Sequence, residues 1–111
     1  MLADTPAPPY YAVIFATTRS ATDADDGYEE TAARMEELAR AQPGYLGIDS
    51  ARSDIGITVS YWCDEAAITA WRDNFEHEEA RRLGRERFYE SYFLRVARVE
   101  RAYSWETGES S

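Results

Sequence analysis

The sequence predicts an α+β domain with the ferredoxin-like split βαβ topology and a four-stranded antiparallel sheet. Strand-like and helix-like segments follow one another in the order strand, helix, strand, strand, helix pair, strand. The chain has 111 residues, of which 44% are hydrophobic, and this suits one packed core rather than two. We expect a flexible leader at residues 1–8, the domain at 9–103 and a polar tail at 104–111.

The predicted elements are strands at residues 10–18, 45–52, 57–62 and 91–103, and helical segments at 26–41 and 64–88. Aromatic and β-branched residues dominate the strands. Asp26 and Glu29 have the spacing of a helix N-cap and its partner, and Pro43-Gly44 ends that first helix. Residues 53–56 are the predicted hairpin connection, and we assign the Ile57 side of the third strand to the helices.

The second helical segment carries two apolar stripes that are out of phase with each other. The first consists of Ile68, Trp71 and Phe75, and the second of His77, Ala80, Gly84 and Phe88. On an unbroken helix, residues six apart lie roughly 120° apart around the axis. We therefore predict a kink or break between about Asn74 and His77, which would allow Trp71 and His77 to line one pocket.

The last strand predicts a local irregularity and an oligomer. Its apolar residues change from even to odd positions after Val96, which predicts a β-bulge near Ala97-Arg98. Helices can cover only one face of this sheet, and the other face also carries aromatic and aliphatic groups. Because a bare apolar face of that size is uncommon on a monomer, we expect a homodimer in which two sheets pack face to face.

Composition argues against several classes of partner. The net charge is −9 and all twelve basic residues are arginine, which argues against nucleic acid and anionic membranes as partners. The longest apolar run, residues 10–16, is far shorter than the roughly 20 residues of a membrane helix, so we expect a cytoplasmic protein. With one cysteine and one histidine, a structural zinc site is not expected.

Four motifs are distributed over the chain: PGYLG at 43–47, ITVSYW at 57–62, Ala70-Trp71, and His77 with Leu83-Gly84. Together they resemble the antibiotic-biosynthesis monooxygenase family of dimeric α+β barrels, over about residues 10–103. Members that oxidise polycyclic phenols use no metal or flavin, because a deprotonated substrate gives its own electron to oxygen in an apolar pocket. The resemblance thus implies a cofactor-independent monooxygenase for a small aromatic or polyketide-like substrate, in a cavity between helices and sheet.

The resemblance also suggests catalytic residues. Trp71 matches the family's helix tryptophan, and His77, as the only histidine, is the one candidate for an imidazole base or ligand. An inward arginine of the last strand, Arg95 or Arg98, would hold the substrate anion. The expected substrate-binding residues are Tyr61, Phe75, Gly84 and Phe88. The structural alternatives stay open: Trp71 is in register with the core stripe, and His77 could simply start the second helical segment.

Two other functions compete with this hypothesis. Haem-degrading members of the family pair an asparagine near the end of the first strand with a helix tryptophan and an iron-ligating histidine. Here Trp71 and His77 are present, but residues 15–18 contain no asparagine, and the only asparagine is Asn74. A haem-binding oxygenase with His77 as ligand is the second hypothesis. The third is a non-catalytic barrel that binds a small apolar ligand or merely dimerises.

Overall fold

The computed structural model describes residues 2–19 and 27–108, apart from the side chain of Phe75. Its elements are β1 (Tyr10–Arg19), α1 (Tyr28–Arg40), β2 (Tyr45–Arg52), β3 (Ile55–Trp62), α2 (Glu65–Arg72), α3 (Phe75–Leu83), a π-helical turn (Gly84–Phe88) and β4 (Tyr89–Val99). The four antiparallel strands lie in the order β2-β3-β1-β4, which is the ferredoxin-like order. The predicted fold class is confirmed. The predicted N-cap Asp26 lies outside the described residues.

The two faces of the sheet follow from the strand register, because directly opposed residues of antiparallel strands point to the same face. Trp62 opposes Tyr11, and its ring packs on the helices, so these residues define the helix face. The opposite face, called here the open face, carries Ile57, which opposes Ala16 and is 46% exposed. Our assignment of the Ile57 side to the helices was therefore wrong. Strand alternation separates the two sets of side chains, but the packing of the large Trp62 ring decides which set is covered.

The predicted bulge near Ala97-Arg98 was also wrong. The pairing of β1 with β4 is regular from Tyr10 opposite Val99 to Thr18 opposite Ser91, and shifts only at Arg19, which opposes Tyr89. The strand ends at Val99, and Tyr103 is 99% exposed beyond it. As an edge strand, β4 has exposed apolar residues on both faces, so its apolar pattern does not report a change of register.

Buried contacts at one end of the sheet anchor α2. Trp62 is completely buried, and its ring lies 5.7 Å from that of Tyr45, measured between centroids. Gly44 precedes β2 with φ +85°, and its carbonyl accepts a hydrogen bond from the Cys63 amide at 2.8 Å. A Cβ on Gly44 would lie 2.6 Å from the Cβ of Ala67 in α2. The turn before β2 is therefore packed directly against α2.

Part of the N-terminal segment packs on the open face. The Ala3 amide donates to Asp49 Oδ1 at 2.8 Å, and Thr5 Oγ1 donates to the Tyr10 hydroxyl at 3.0 Å. Beyond this segment, Ile57 and Phe93 remain exposed on the open face, Phe93 by 59%. In the described part of the chain, no helix is long and apolar enough to cross a membrane.

Candidate functional site

The helical segment after β3 is interrupted at Asp73 and Asn74. The Asn74 side chain caps α3, because its Oδ1 accepts a hydrogen bond from the His77 amide at 3.1 Å. The Asn74 amide donates in turn to the carbonyl of Trp71 at 3.1 Å. The predicted break is confirmed and lies at the start of the predicted interval. It rotates α3 relative to α2 and so changes which of their side chains can meet.

Because of this break, Trp71 and His77 are in direct contact. Their rings stack with centroids 4.2 Å apart and planes inclined by 10°, and His77 Nδ1 lies 3.0 Å from the Trp71 carbonyl oxygen. Trp62 stacks near Trp71 at 6.2 Å with an interplanar angle of 23°. We call Tyr45, Trp62, Trp71 and His77 the aromatic stack. It runs from the sheet to the first turn of α3.

The surroundings of His77 keep its imidazole neutral at physiological pH. Burial lowers the pKa of His77 below its usual value of 6.5, and the positive charge of Arg81 acts in the same direction. The hydrogen bond to the Trp71 carbonyl opposes this effect, but burial is the larger cause. A carbonyl oxygen can only accept, so Nδ1 carries the proton and Nε2 carries the lone pair. His77 can therefore accept a proton or bind a metal through Nε2.

Tyr61 and Arg95 lie on the open face, across the sheet from Trp71 and His77. The Tyr61 hydroxyl donates to Asp49 Oδ2 at 2.9 Å, and burial together with this bond raises the pKa of Tyr61 to about 12. Arg95 opposes Ile14, and its guanidinium lies 3.8 Å from the centroid of the Phe93 ring. The sheet therefore separates Tyr61 and Arg95 from the aromatic stack, and they share no pocket with it.

Of the two arginines proposed in β4, Arg98 is the one on the helix face. It opposes Tyr11, and its Nη1 lies 3.9 Å from the carboxylate of Glu100. Strand alternation requires that Arg95 and Arg98, three residues apart, point to opposite faces. The packing of β3 against the helices decides which of these two arginines lies on the helix face.

Gly84 and Phe88 are the ends of the π-helical turn and are both buried. A Cβ on Gly84 would lie 2.9 Å from the Tyr89 ring, so a close ring contact accounts for the glycine. Phe88 packs edge to face on Tyr28 with centroids 5.5 Å apart. Both residues thus belong to a second aromatic cluster near the start of α1. The other predicted binding residue, Phe75, begins α3, and its side chain lies outside the described residues.

Sequence reasoning missed the charged part of this second cluster. Arg52, at the end of β2, donates from Nη2 to the hydroxyls of Thr17 and Tyr28, the latter at 3.5 Å. The Arg19 guanidinium lies 3.9 Å from the centroid of the Tyr28 ring. Gly56, which we had placed in the hairpin connection, is the second residue of β3 and lies beneath Arg52. A glycine inside a strand was the available signal, because it often marks the close approach of another group.

Tyr89 packs within this cluster and shares a hydrogen bond with Tyr28. Its ring contacts those of Phe15 and Tyr28, with centroids 5.6 and 5.8 Å away. Burial raises the pKa of Tyr89, and its hydrogen bond with Tyr28 raises it further. Tyr89 therefore stays protonated at physiological pH and acts as a neutral hydrogen-bonding group.

A groove of about 290 Å³ lies elsewhere, on the outer surface between α1 and α3. The ion pair between Arg34 Nε and Glu76 Oε2, at 3.1 Å, joins the two helices across it. Neither Trp71 nor His77 lines this groove. Among the described residues, no three His, Cys, Asp or Glu side chains are grouped so that they could hold a metal ion.

The chain is similar to a known protein family, to a bacterial protein and to solved structures. The family model described as "Antibiotic biosynthesis monooxygenase" matches residues 10–83. "Uncharacterized protein YqjZ" of Bacillus subtilis (strain 168) is 53% identical over 102 residues, covering 90% of this chain and 88% of that protein.

Solved structures agree in fold at low sequence identity. SO0527 from Shewanella oneidensis superposes with a TM-score of 0.74 at 12% identity, over 89% of this chain and 100% of that one. Rv0793 from Mycobacterium tuberculosis superposes with a TM-score of 0.69 at 18% identity, over 89% and 99% of the two chains. These structures support the fold alone, whereas the family model covers most of the domain. The chain therefore belongs to the antibiotic biosynthesis monooxygenase family.

Proposed function

We propose that this chain is a cofactor-independent monooxygenase that oxidises a small phenolic or polyketide-like molecule between the helices and the helix face of the sheet. The observation that carries the proposal is the stacked pair of Trp71 and His77. It provides a neutral imidazole whose orientation is set by a 3.0 Å contact to a backbone carbonyl. Family membership supports the reaction class.

In the proposed reaction His77 is the general base. Its Nε2 takes the phenolic proton, and the resulting anion gives one electron to dioxygen, which becomes superoxide. The two radicals join through a new carbon–oxygen bond, and the resulting peroxide takes the proton back from His77. Loss of the hydrogen on that carbon, with cleavage of the oxygen–oxygen bond, then leaves a carbonyl on the substrate and releases water. The lowered pKa of His77 keeps it in the basic form at neutral pH.

Trp71 is a positioning residue in this scheme. His77 stacks on it at 4.2 Å and Trp62 lies near it at 6.2 Å, both in nearly parallel orientation, so the indole has an aromatic contact with each of them. It therefore holds the imidazole against the break between α2 and α3. The packed rings also exclude water beside the base, which strengthens electrostatic interactions with the anion.

The test is oxygen uptake with anthrone-type and catechol substrates, for the wild type, His77→Gln and Arg101→Gln. Arg101 is exposed beyond β4 and serves as the matched control. We expect uptake in the wild type and in Arg101→Gln, and a loss of about 10²- to 10⁴-fold in kcat/KM for His77→Gln. Equal uptake by the wild type and His77→Gln would remove His77 from the reaction. No uptake with any substrate would favour a non-catalytic, ligand-binding barrel.

A haem-binding oxygenase remains the second candidate because of one observation. Histidines that ligate metals commonly donate their other ring N–H to a carbonyl or carboxylate, as His77 Nδ1 does to Trp71. His77 would be the ligand, and haem would supply the iron that binds oxygen. A stoichiometric Soret shift on haem titration that disappears in His77→Ala would favour this candidate. No shift in either protein would reject it.

We also propose that the protein is a homodimer, assembled through the open face. Its side chains Ile57 and Phe93 are exposed apolar groups that a second copy would bury. Sedimentation equilibrium at micromolar concentration should show a dimer, and Phe93→Glu should shift it toward monomer. A wild-type protein that sediments as a monomer would contradict this arrangement. The cytoplasmic location stays a prediction from the sequence.

A further inference from the structure

Arg52 has an unusual position on the helix face of the sheet. It lies at the end of β2, yet its guanidinium extends across β3 and donates to Thr17 of β1, 35 residues away in sequence. Thr17 is 4% exposed and is a buried polar side chain of the domain. The guanidinium also lies 5.4 Å from the centroid of the Tyr28 ring. One cation is thereby held against the sheet between two hydroxyl groups.

Gly56 provides the space for this guanidinium. It opposes both Thr17 and Arg52 in the sheet, and it is buried. A Cβ on Gly56 would overlap the Cζ and Nη2 atoms of Arg52. Its backbone does not need glycine, because its φ is not positive. Glycine weakens the interior of a strand, so a glycine at this position needs a structural reason. The described contacts give one, because the Arg52 guanidinium occupies the space where a side chain would lie.

Among the described residues, the hydrogen-bond partners of Arg52 do not balance its positive charge. Both hydrogen bonds come from Nη2 and go to neutral hydroxyls, and within the described part of the chain no carboxylate lies in ion-pair distance of it. Arg34, Arg40 and Arg82 instead pair with glutamates within 3.2 Å. A guanidinium has five N–H donors, so the Nε and Nη1 donors of Arg52 can still bind an anion.

Beside this cation lies an aromatic surface. Tyr92 of β4 opposes Thr17, so its Cα is about 5 Å from that of Thr17, one strand spacing away. Its side chain is 44% exposed, and its ring contacts that of Phe15 at 5.5 Å. A planar ligand with its anionic group at Arg52 would therefore reach Tyr92 along the same row of the sheet.

We propose that Arg52 binds the carboxylate or phenolate oxygen of a planar aromatic ligand whose ring lies against Tyr92. The seat of the guanidinium is formed by Gly56, Thr17 and Tyr28. The site goes beyond the proposed function, because Gly56 lies six residues along β3 from Trp62, roughly 20 Å from the aromatic stack. Binding is measured without turnover, so the two proposals can fail separately.

The test is a calorimetric titration with 2-naphthoate and with its neutral analogue 2-naphthamide. We expect the wild type and the control Arg101→Gln to bind 2-naphthoate with affinities within about twofold of each other. Arg52→Gln should weaken binding by about ten- to hundredfold, the usual effect of removing hydrogen bonds to a charged group. Gly56→Ala should weaken it as well, because the methyl group displaces the guanidinium. The amide should bind weakly to all four proteins.

Three results would overturn the site. They are equal affinity of the wild type and Arg52→Gln for 2-naphthoate, equal affinity of the wild type for the acid and the amide, and no binding of 2-naphthoate by the folded wild type. If Arg52-dependent binding is found but no phenol is oxidised, the anion site stands and the monooxygenase proposal fails. Circular dichroism confirms that each variant is folded.

Discussion

Replacing Gly44 by alanine tests whether the turn before β2 holds α2 in place. Gly44 has φ +85°, and left-handed backbone costs a residue with a Cβ about 1–2 kcal/mol. The new Cβ would also lie 2.6 Å from Ala67 Cβ and 2.9 Å from Cys63 Sγ, and overpacking of this kind costs about 1–3 kcal/mol. We expect Gly44→Ala to lower the free energy of unfolding by about 2–5 kcal/mol in urea titrations followed by circular dichroism.

Gly27 is the matched control because its backbone is alike but its surroundings are open. It has φ +87° at the start of α1, and no described atom lies within 4 Å of an added Cβ. Gly27→Ala should therefore cost only the backbone part, about 1–2 kcal/mol. The difference of about 1–3 kcal/mol corresponds to at least about 4 °C in Tm. Equal losses in both variants would refute the reasoning, because they would show that Ala67 and Cys63 move aside freely.

Three further predictions concern the aromatic stack. The pKa of His77 in the folded protein is below 6.5. The stability contributed by its neutral ring is therefore fully present above about pH 6.5 and is lost as the pH falls through the folded-state pKa. The Tm of the wild type minus that of His77→Gln should decrease on acidification from about pH 7.5 to 5. A pH-independent difference would contradict this. Trp62→Ala should cost about 3–5 kcal/mol of unfolding free energy, whereas the exposed Trp105→Ala should be neutral; similar effects would show that Trp62 is not a core residue. Asn74→Ala and Asp64→Ala each remove a helix N-cap and should each lower the free energy of unfolding by about 0.5–2 kcal/mol. Only Asn74→Ala should change the near-ultraviolet circular dichroism of the aromatic stack. Identical spectra for the two variants would show that the Asn74 cap does not position His77.

The order and type of the elements could be predicted because they depend on local patterns. β2 has the predicted bounds, Tyr45–Arg52, and α2 begins where Asp64 supplies a side-chain cap. The break before α3 was predicted from the phases of two apolar stripes, and the structure places it at Asp73-Asn74. These features arise within a few residues of chain, where spacing and capping chemistry act directly.

The candidate site could be predicted only in part. Trp71 and His77 were paired from the break between their helices, which is a local feature. Tyr61 and Arg95 were placed in the same pocket, but the structure has them on the open face. A period of two identifies which residues share a face, yet it does not say which face the helices cover.

The sequence by itself thus determined the ferredoxin-like order of elements, the break in the helical segment and the uniqueness of His77. The tertiary structure alone decided that Trp62 faces the helices, and that Arg52 crosses Gly56 to reach Thr17. The physical reason is the range of the interactions. Helix periodicity and caps join residues three or four apart, whereas the choice of sheet face and the contact from Arg52 to Thr17 depend on packing between distant segments.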